Sequence, residues 1–146
     1  MKLIVDANIV FSGILNTNGK IADLLINSKK QFEFIAPDFL RKEIYKHYKK
    51  ISRISGMTVE QVREAEFQIC KDITFISEEQ IMPTAWKDAE KLVADVDSND
   101  IHYVAFSKFY KCKIWSGDKE LIKGLAKKGF TDFLTTAELY TIWQNK

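Results

Sequence analysis

Apolar positions along the chain fall into short continuous runs that alternate with longer periodic stretches. Leu3-Ile4-Val5 is a continuous run that stops at Asp6. A run of that length bounded by a carboxylate reads as a buried strand ending at the carboxyl edge of a parallel sheet, where the crevice of such a sheet lies. Asn18-Gly19 marks a turn or helix entry, and Ile21, Leu24 and Leu25 have the spacing of a short helix. Phe32 to Ala36 is a second strand-like run. Pro37 then opens a long helix with Asp38 in its first turn. Leu40, Ile44, Tyr48 and Ile51 form its buried stripe, and Ser52 to Gly56 breaks it.

Thr58-x-x-Gln61 has the pattern of a capping box and starts a helix that runs to about Asp72. Thr74-Phe75-Ile76 is a brief apolar run, a strand or a buried connection. Pro83 opens a further helix through Trp86, Ala89, Leu92 and Val93. The polar cluster from Asp95 to Asp100 leads into a helix whose stripe is Ile101, Val104, Ala105 and Phe109. Lys113-Ile114-Trp115 reads as a strand ending at Ser116-Gly117-Asp118, and Leu121, Ile122 and Leu125 mark the helix after it, which Gly129 stops. Phe133-Leu134 is a last short strand, and Thr135 and Thr136 cap a closing helix through Tyr140 and Trp143. Strands alternating with helices predict an α/β fold with a mainly parallel sheet. With no internal repeat and no linker-like segment, residues 1–146 are expected to form one domain.

Composition narrows the partners more than the fold. The net charge of +2 makes no global case for a polyanionic ligand, so any nucleic-acid reading must rest on local placement. Cys70 and Cys112 are far apart and form no CxxC, the usage of reduced, packed thiols. No apolar run approaches the length of a membrane span, and Asp6 interrupts the start of the chain too early for a signal peptide. The expectation is a cytoplasmic protein without a membrane partner.

Candidate chemistry lies in a few of the twenty acidic residues. Asp6 and Asp118 both end strands, so both belong to the carboxyl edge of the expected sheet. Asp97 and Asp100 lie on one side of a helix start, and Glu43 flanks the buried stripe of its helix. Each has an ordinary explanation as well. Asp97 can cap a helix with Asp100 in its first turn, Asp118 can cap the helix beginning at Lys119, and Glu43 can pair with Lys46 or His47. Asp6 resists that explanation best, because a carboxylate directly after a buried strand is costly unless paired. Gathered at one edge, such acids repel by about 4 kcal/mol per pair at roughly 4 Å and moderate dielectric. Protons or divalent cations must then neutralise them. Oxygen-only ligands suit Mg²⁺ or Mn²⁺, and no Cys/His set has zinc spacing.

Taken in order, Asp6-x-Asn8-x-x-x-Ser12, Glu43, Asp97-x-x-Asp100 ahead of an apolar helix, and Ile114-Trp115-Ser116-Gly117-Asp118-Lys119 resemble the PIN-domain nuclease family, over Lys2 to about Leu125. The resemblance implies a three-layer α/β/α sandwich and a metal-dependent ribonuclease, often the toxin of a toxin–antitoxin pair. By position it implies Asp6, Glu43, Asp100 and Asp118 as the catalytic, metal-holding quartet, with Asp97 as an additional acid. Asn8, Ser12 and Ser116 match polar positions that orient those acids. Asp95 has no counterpart, and Lys119-Glu120-Leu121 departs from the Arg/Asn-rich run of many toxin members.

The chemistry expected from such a quartet is attack of an activated water on an RNA phosphate, leaving 5′-phosphate and 3′-hydroxyl ends. A route through the RNA 2′-hydroxyl wants a placed His pair, and nothing pairs His47 with His102. The sequence places His47 against the stripe and His102 in an exposed first turn. Lys42, Lys46, Lys49, Lys50 and Arg53 share the helical face beside Glu43. Of these Lys46 and Lys50, together with Lys119, are candidates to hold nucleic-acid phosphates, beside the ordinary reading of a solvated basic face. Tyr45, Tyr48 and Tyr110 could stack bases, although packing explains each as well. Two other readings compete. A haloacid-dehalogenase-like phosphatase would use Asp6 as nucleophile but wants an acid where Asn8 stands. A non-catalytic scaffold of the same fold would bind RNA or a partner without cutting. The apolar faces at Thr58 to Asp72 and at Leu139, Tyr140 and Trp143 either pack internally or offer a homodimer or antitoxin interface.

Overall fold

The computed structural model describes residues 1–96 and 100–145. Its strands are β1 (Lys2–Val5), β2 (Glu33–Pro37), β3 (Ile73–Ile76), β4 (Lys113–Trp115) and β5 (Phe133–Leu134). They form a five-stranded sheet in the order β3-β2-β1-β4-β5 with every pairing parallel. The helices are α1 (Ala7–Leu15), α2 (Lys20–Asn27), α3 (Phe39–Lys46), α4 (Tyr48–Ser55), α5 (Val59–Cys70), α6 (Pro83–Val93), α7 (Ile101–Tyr110), α8 (Lys119–Ala126) and α9 (Thr136–Gln144).

Strand side chains alternate between two cores. Leu3, Val5, Phe34, Ala36 and Trp115 face one layer, built from α1 to α5 and α9. Ile4, Ile35 and Ile114 face the other, built from α6, α7 and α8. β1 lies in the middle with Leu3, Ile4 and Val5 wholly buried, which is why its sequence is continuously apolar. The three-layer α/β/α architecture expected from the sequence is the one observed.

Local expectations fail where packing overrides pattern. α1 follows Asp6 directly, although the sequence marks no helix there. Ile9, Val10, Gly13 and Ile14 are all buried, so the segment is apolar around most of its circumference and shows no clear stripe. Gly13 permits the close approach to α5: a Cβ there would lie 3.3 Å from Ile69 Cδ1. Pro37 closes β2 instead of opening a helix. β1 pairs with β2 only as far as Ile35, whereas Pro37 is still in register with Ile76 of β3, so its missing N–H costs no bond to β1. The single long helix is two, because the His47 backbone leaves helical geometry at φ −105°, ψ 11°. Gly56, at φ +76°, ends α4 in the left-handed conformation that favours glycine.

α7 also differs from its expected stripe. Tyr103 through Ser107 are all buried because the helix is wedged between α6 and the sheet, while Phe109 is only partly covered. The capping boxes at Thr58–Gln61 and Thr135–Glu138 are both formed. The apolar faces of α5 and α9 turn inward: Val62, Ala65, Ile69 and Leu139 are buried, and Tyr140 and Trp143 pack against the same core. Among the described residues, no helix is long and apolar enough to cross a membrane.

Candidate active site

The β1–β4 register sets Val5 beside Trp115, so the residues that follow, Asp6 and Ser116, meet at the carboxyl edge of the sheet. The Asp6 amide donates to the Trp115 carbonyl at 3.2 Å. The Ser116 hydroxyl donates to Asp6 Oδ2 at 2.7 Å and accepts from the Asp118 amide at 3.1 Å. Asp118 Oδ1 in turn accepts from the Leu121 amide at 3.1 Å, capping α8. One buried serine therefore fixes the positions of two acids. Asp118 is both the helix cap and a residue of the sheet edge.

Asp6 is only 4% exposed. Burial pushes its carboxyl above the ordinary carboxylate range, and the charge of Asp118 pushes the same way. The Ser116 hydroxyl and the backbone amides of Asn8 and Ala7 at the start of α1 oppose the rise without cancelling it. Ser116→Ala should leave Asp6 Oδ2 without its hydroxyl donor and the Asp118 amide without its acceptor. The expected cost is about 1–3 kcal/mol, read as a lower urea midpoint at unchanged slope. An unchanged midpoint would show that neither bond contributes.

Asp6, Asn8, Glu43, Asp100 and Asp118 line one cleft of about 490 Å³. They come from four separate segments of the chain. Glu43 projects from α3 with its side chain 16% exposed, and faces Lys46 Nζ at 3.9 Å and His47 Nε2 at 3.8 Å. The break at His47 turns its ring edge-on to Phe11 at 5.5 Å. Asp100 stands at the entry to α7. Apolar side chains of Phe11, Leu15, Phe39, Ile51 and Ile54 complete the walls, with Lys50 among them.

Other expected site residues fall elsewhere. Ser12 is exposed on α1 and is not part of the cleft wall, so Ser116 is the serine that orients Asp6. Lys46 is tied to Glu43 at the rim, and Lys119 is exposed on α8 away from the lining. Asp97 lies outside the described residues. Asp95 pairs with Lys128 at 3.3 Å and faces solvent. Tyr45 is 72% exposed against Tyr48, whose hydroxyl donates to Glu66. Tyr110 lies by Lys2, at the opposite edge of the sheet from the cleft.

His102 is not exposed as its position suggested. Its ring stacks on Phe39 at 3.9 Å and meets the edge of Trp86 at 5.4 Å. Burial pushes the imidazole below its usual value, against the pull of Glu78 and Glu43. Tyr103, absent from the sequence reading, lines the cleft at 3% exposure. Burial first, then the charges of Asp6, Glu43 and Asp100, hold its phenol far above the ordinary range, so it keeps its proton. A helical position three residues after Asp100 was the available signal.

Among the described residues, no three His, Cys, Asp or Glu side chains are drawn together closely enough to hold a metal ion. The donor set still fits a hard cation in kind: carboxylate oxygens on one cleft, one of them buried and resisting ionisation.

The chain is similar in fold to a chain of VapBC2 from Rickettsia felis, a structure described as bound to a DNA fragment from their promoter. The TM-score is 0.68 at 11% identity, covering 92% of this chain and 97% of that one. It is also similar to a PilT N-terminus domain protein from the hyperthermophilic archaeon Sulfolobus solfataricus, with a TM-score of 0.53 at 10% identity over 100% and 96% of the two chains. No curated protein sequence matches it. The family model of the PIN domain matches residues 4–141, from the first strand into the last helix and across every acid of the cleft, and the chain belongs to the PIN domain family.

Proposed function

We propose that this chain is an endoribonuclease dependent on Mg²⁺ or Mn²⁺, acting as a toxin with a small antitoxin protein as its partner. The observation that carries the reading is the convergence of Asp6, Glu43, Asp100 and Asp118 on one cleft with Asp6 almost wholly buried. The charge of Asp118 already raises the buried Asp6 carboxyl, and a bound cation relieves that repulsion. Membership of the PIN domain family supports the nuclease reading, and the likeness to VapBC2 supports the partner.

Asp6, Glu43, Asp100 and Asp118 would hold the cation. When bound, it would supply Lewis acidity toward a phosphate oxygen and lower the pKa of a water. The chain's own residues do the rest. Ser116 donates to Asp6 Oδ2 and accepts from the Asp118 amide, so one side chain links the carboxylate of one acid to the backbone of the other. Lys50 on the cleft wall offers a charge to the RNA backbone. Phe11, Leu15 and Ile54 give the cleft an apolar wall beside the acids, against which a base of a single strand can pack.

The test is incubation with structured and unstructured RNA, single-stranded DNA and p-nitrophenyl phosphate, with Mg²⁺, Mn²⁺ or EDTA. RNA cleavage only with the cation, leaving 5′-phosphate ends, is the expected result. Cleavage that survives EDTA would overturn the cation mechanism. Phosphatase activity alone would restore Asp6 as a nucleophile, and RNA binding without cutting would make the chain a scaffold.

Lys50→Ala gives a narrower check. Loss of one phosphate contact should lower the slope of log affinity against log salt by about 0.7 for a single strand. Fluorescence anisotropy across a salt series reads it directly. An unchanged slope would take Lys50 out of the RNA path.

A further inference from the structure

Among the described residues, the buried side-chain atoms without a hydrogen-bond partner are Asp72 Oδ2, His102 Nδ1 and Tyr103 Oη. Asp72 faces Lys29 through its other oxygen at 3.8 Å. His102 is held by ring contacts outside the cleft wall. Tyr103 differs, because it lines the acidic cleft and is 97% removed from solvent. The Ala7 amide points at its oxygen as a weak donor, and the hydroxyl proton has no acceptor. Asp6, Glu43 and Asp100 are the charged groups that act on it.

An unpartnered buried hydroxyl destabilises a fold, and phenylalanine would fill the same space without that penalty. Solvent does not reach the oxygen, so an acceptor must come from the protein itself. The cleft acids are the available acceptors, and they stand too far apart here to grip an ion. Contraction around a cation would change both conditions at once.

We propose that Tyr103 is a positioning residue for the cation site: as the carboxylates close in, its hydroxyl donates to Asp6. With the Ser116 hydroxyl already on Oδ2, Asp6 then has a donor on each side and a fixed orientation toward the ion. This rests on the cation-dependent reading above. The orphan hydroxyl is thus a preference for the loaded state, set against the stability of the empty one.

The experiment compares wild type with Tyr103→Phe, using Mn²⁺ alone, by isothermal titration calorimetry and thermal melts with and without the ion. Tyr103→Phe should melt at or above the wild-type temperature in EDTA, and should bind Mn²⁺ about ten-fold more weakly. Wild type should show an Mn²⁺-induced red shift of a tyrosine band, the mark of a phenol that gains a hydrogen-bond acceptor, and the variant should lack it. Equal Mn²⁺ affinity in the two proteins, or the same shift in both, overturns the role of Tyr103 and leaves the cation site standing. A wild-type chain that binds no Mn²⁺ overturns both.

Discussion

Asp6→Asn is expected to abolish cleavage while making the cation-free chain more stable. On the cation mechanism proposed above, loss of one buried ligand forfeits several kcal/mol of charge stabilisation in the reaction, and at about 1.4 kcal/mol per tenfold this is on the order of a thousand-fold in rate. The stability gain comes from the same burial. The Asp6 carboxyl is held above its ordinary value of 3.8, so the folded chain keeps a proton that the unfolded chain has released. Its contribution to stability therefore falls as pH rises from near 3.8 through the raised folded value, and stays lost above it. Asparagine carries no such proton and can still accept from Ser116. Urea midpoints in EDTA across about pH 4 to 8 should fall less steeply for the variant than for wild type. Single-turnover RNA cleavage measures the other half. A variant that cuts at the wild-type rate would remove Asp6 from the reaction, and parallel pH profiles would show that its burial costs nothing.

Trp115→Ala should have the largest effect on the fold. The indole is wholly buried at the end of β4, packs on Phe34 with ring centroids 5.5 Å apart, and donates from Nε1 to Thr136 Oγ1 at 3.0 Å. Removing it deletes the contact between β4, β2 and the start of α9, at an expected cost of about 3–5 kcal/mol. Domains of this kind are commonly stable by only about 5–15 kcal/mol, so the variant should lose much of its margin. Trp115→Phe should recover most of the packing and lose chiefly the bond to Thr136. Urea unfolding of the three proteins orders them, and an alanine variant within about 1 kcal/mol of wild type would show that the core closes over the gap.

The strands were legible because a parallel sheet covered on both faces demands continuous apolar runs, and Leu3-Ile4-Val5 and the shorter Ile114-Trp115 supply them. The convergence of Asp6 with Asp118 was legible for the same reason, since both acids end such runs and neighbouring parallel strands bring their ends together. Helical detail was less so. Ala7 to Leu15 has no polar face to set a period, and Pro37 serves a strand end as well as a helix start. Nothing in His47 announces the break that puts its ring on Phe11 and its Nε2 opposite Glu43. Tyr103 left only its spacing from Asp100 as a signal, because its part depends on lost solvent and burial around α7 is decided by α6 and the sheet together. Lys46 and Lys119 show the converse: a shared helical face or a place beside Asp118 does not put a side chain on the cleft wall.

The meeting of β1 and β4 also sets an order in time. Asp6 is made 110 residues before the serine that orients it. At roughly 5–20 residues per second, the ribosome needs on the order of 5 to 20 seconds to supply the second half of the site. Until then β1 can pair with β2 but has no neighbour on its other side. On the ribonuclease reading proposed above, a chain that still lacks Ser116 and Asp118 does not cut the message from which it is being translated. On the same reading, products that terminate before Lys113 stay inactive.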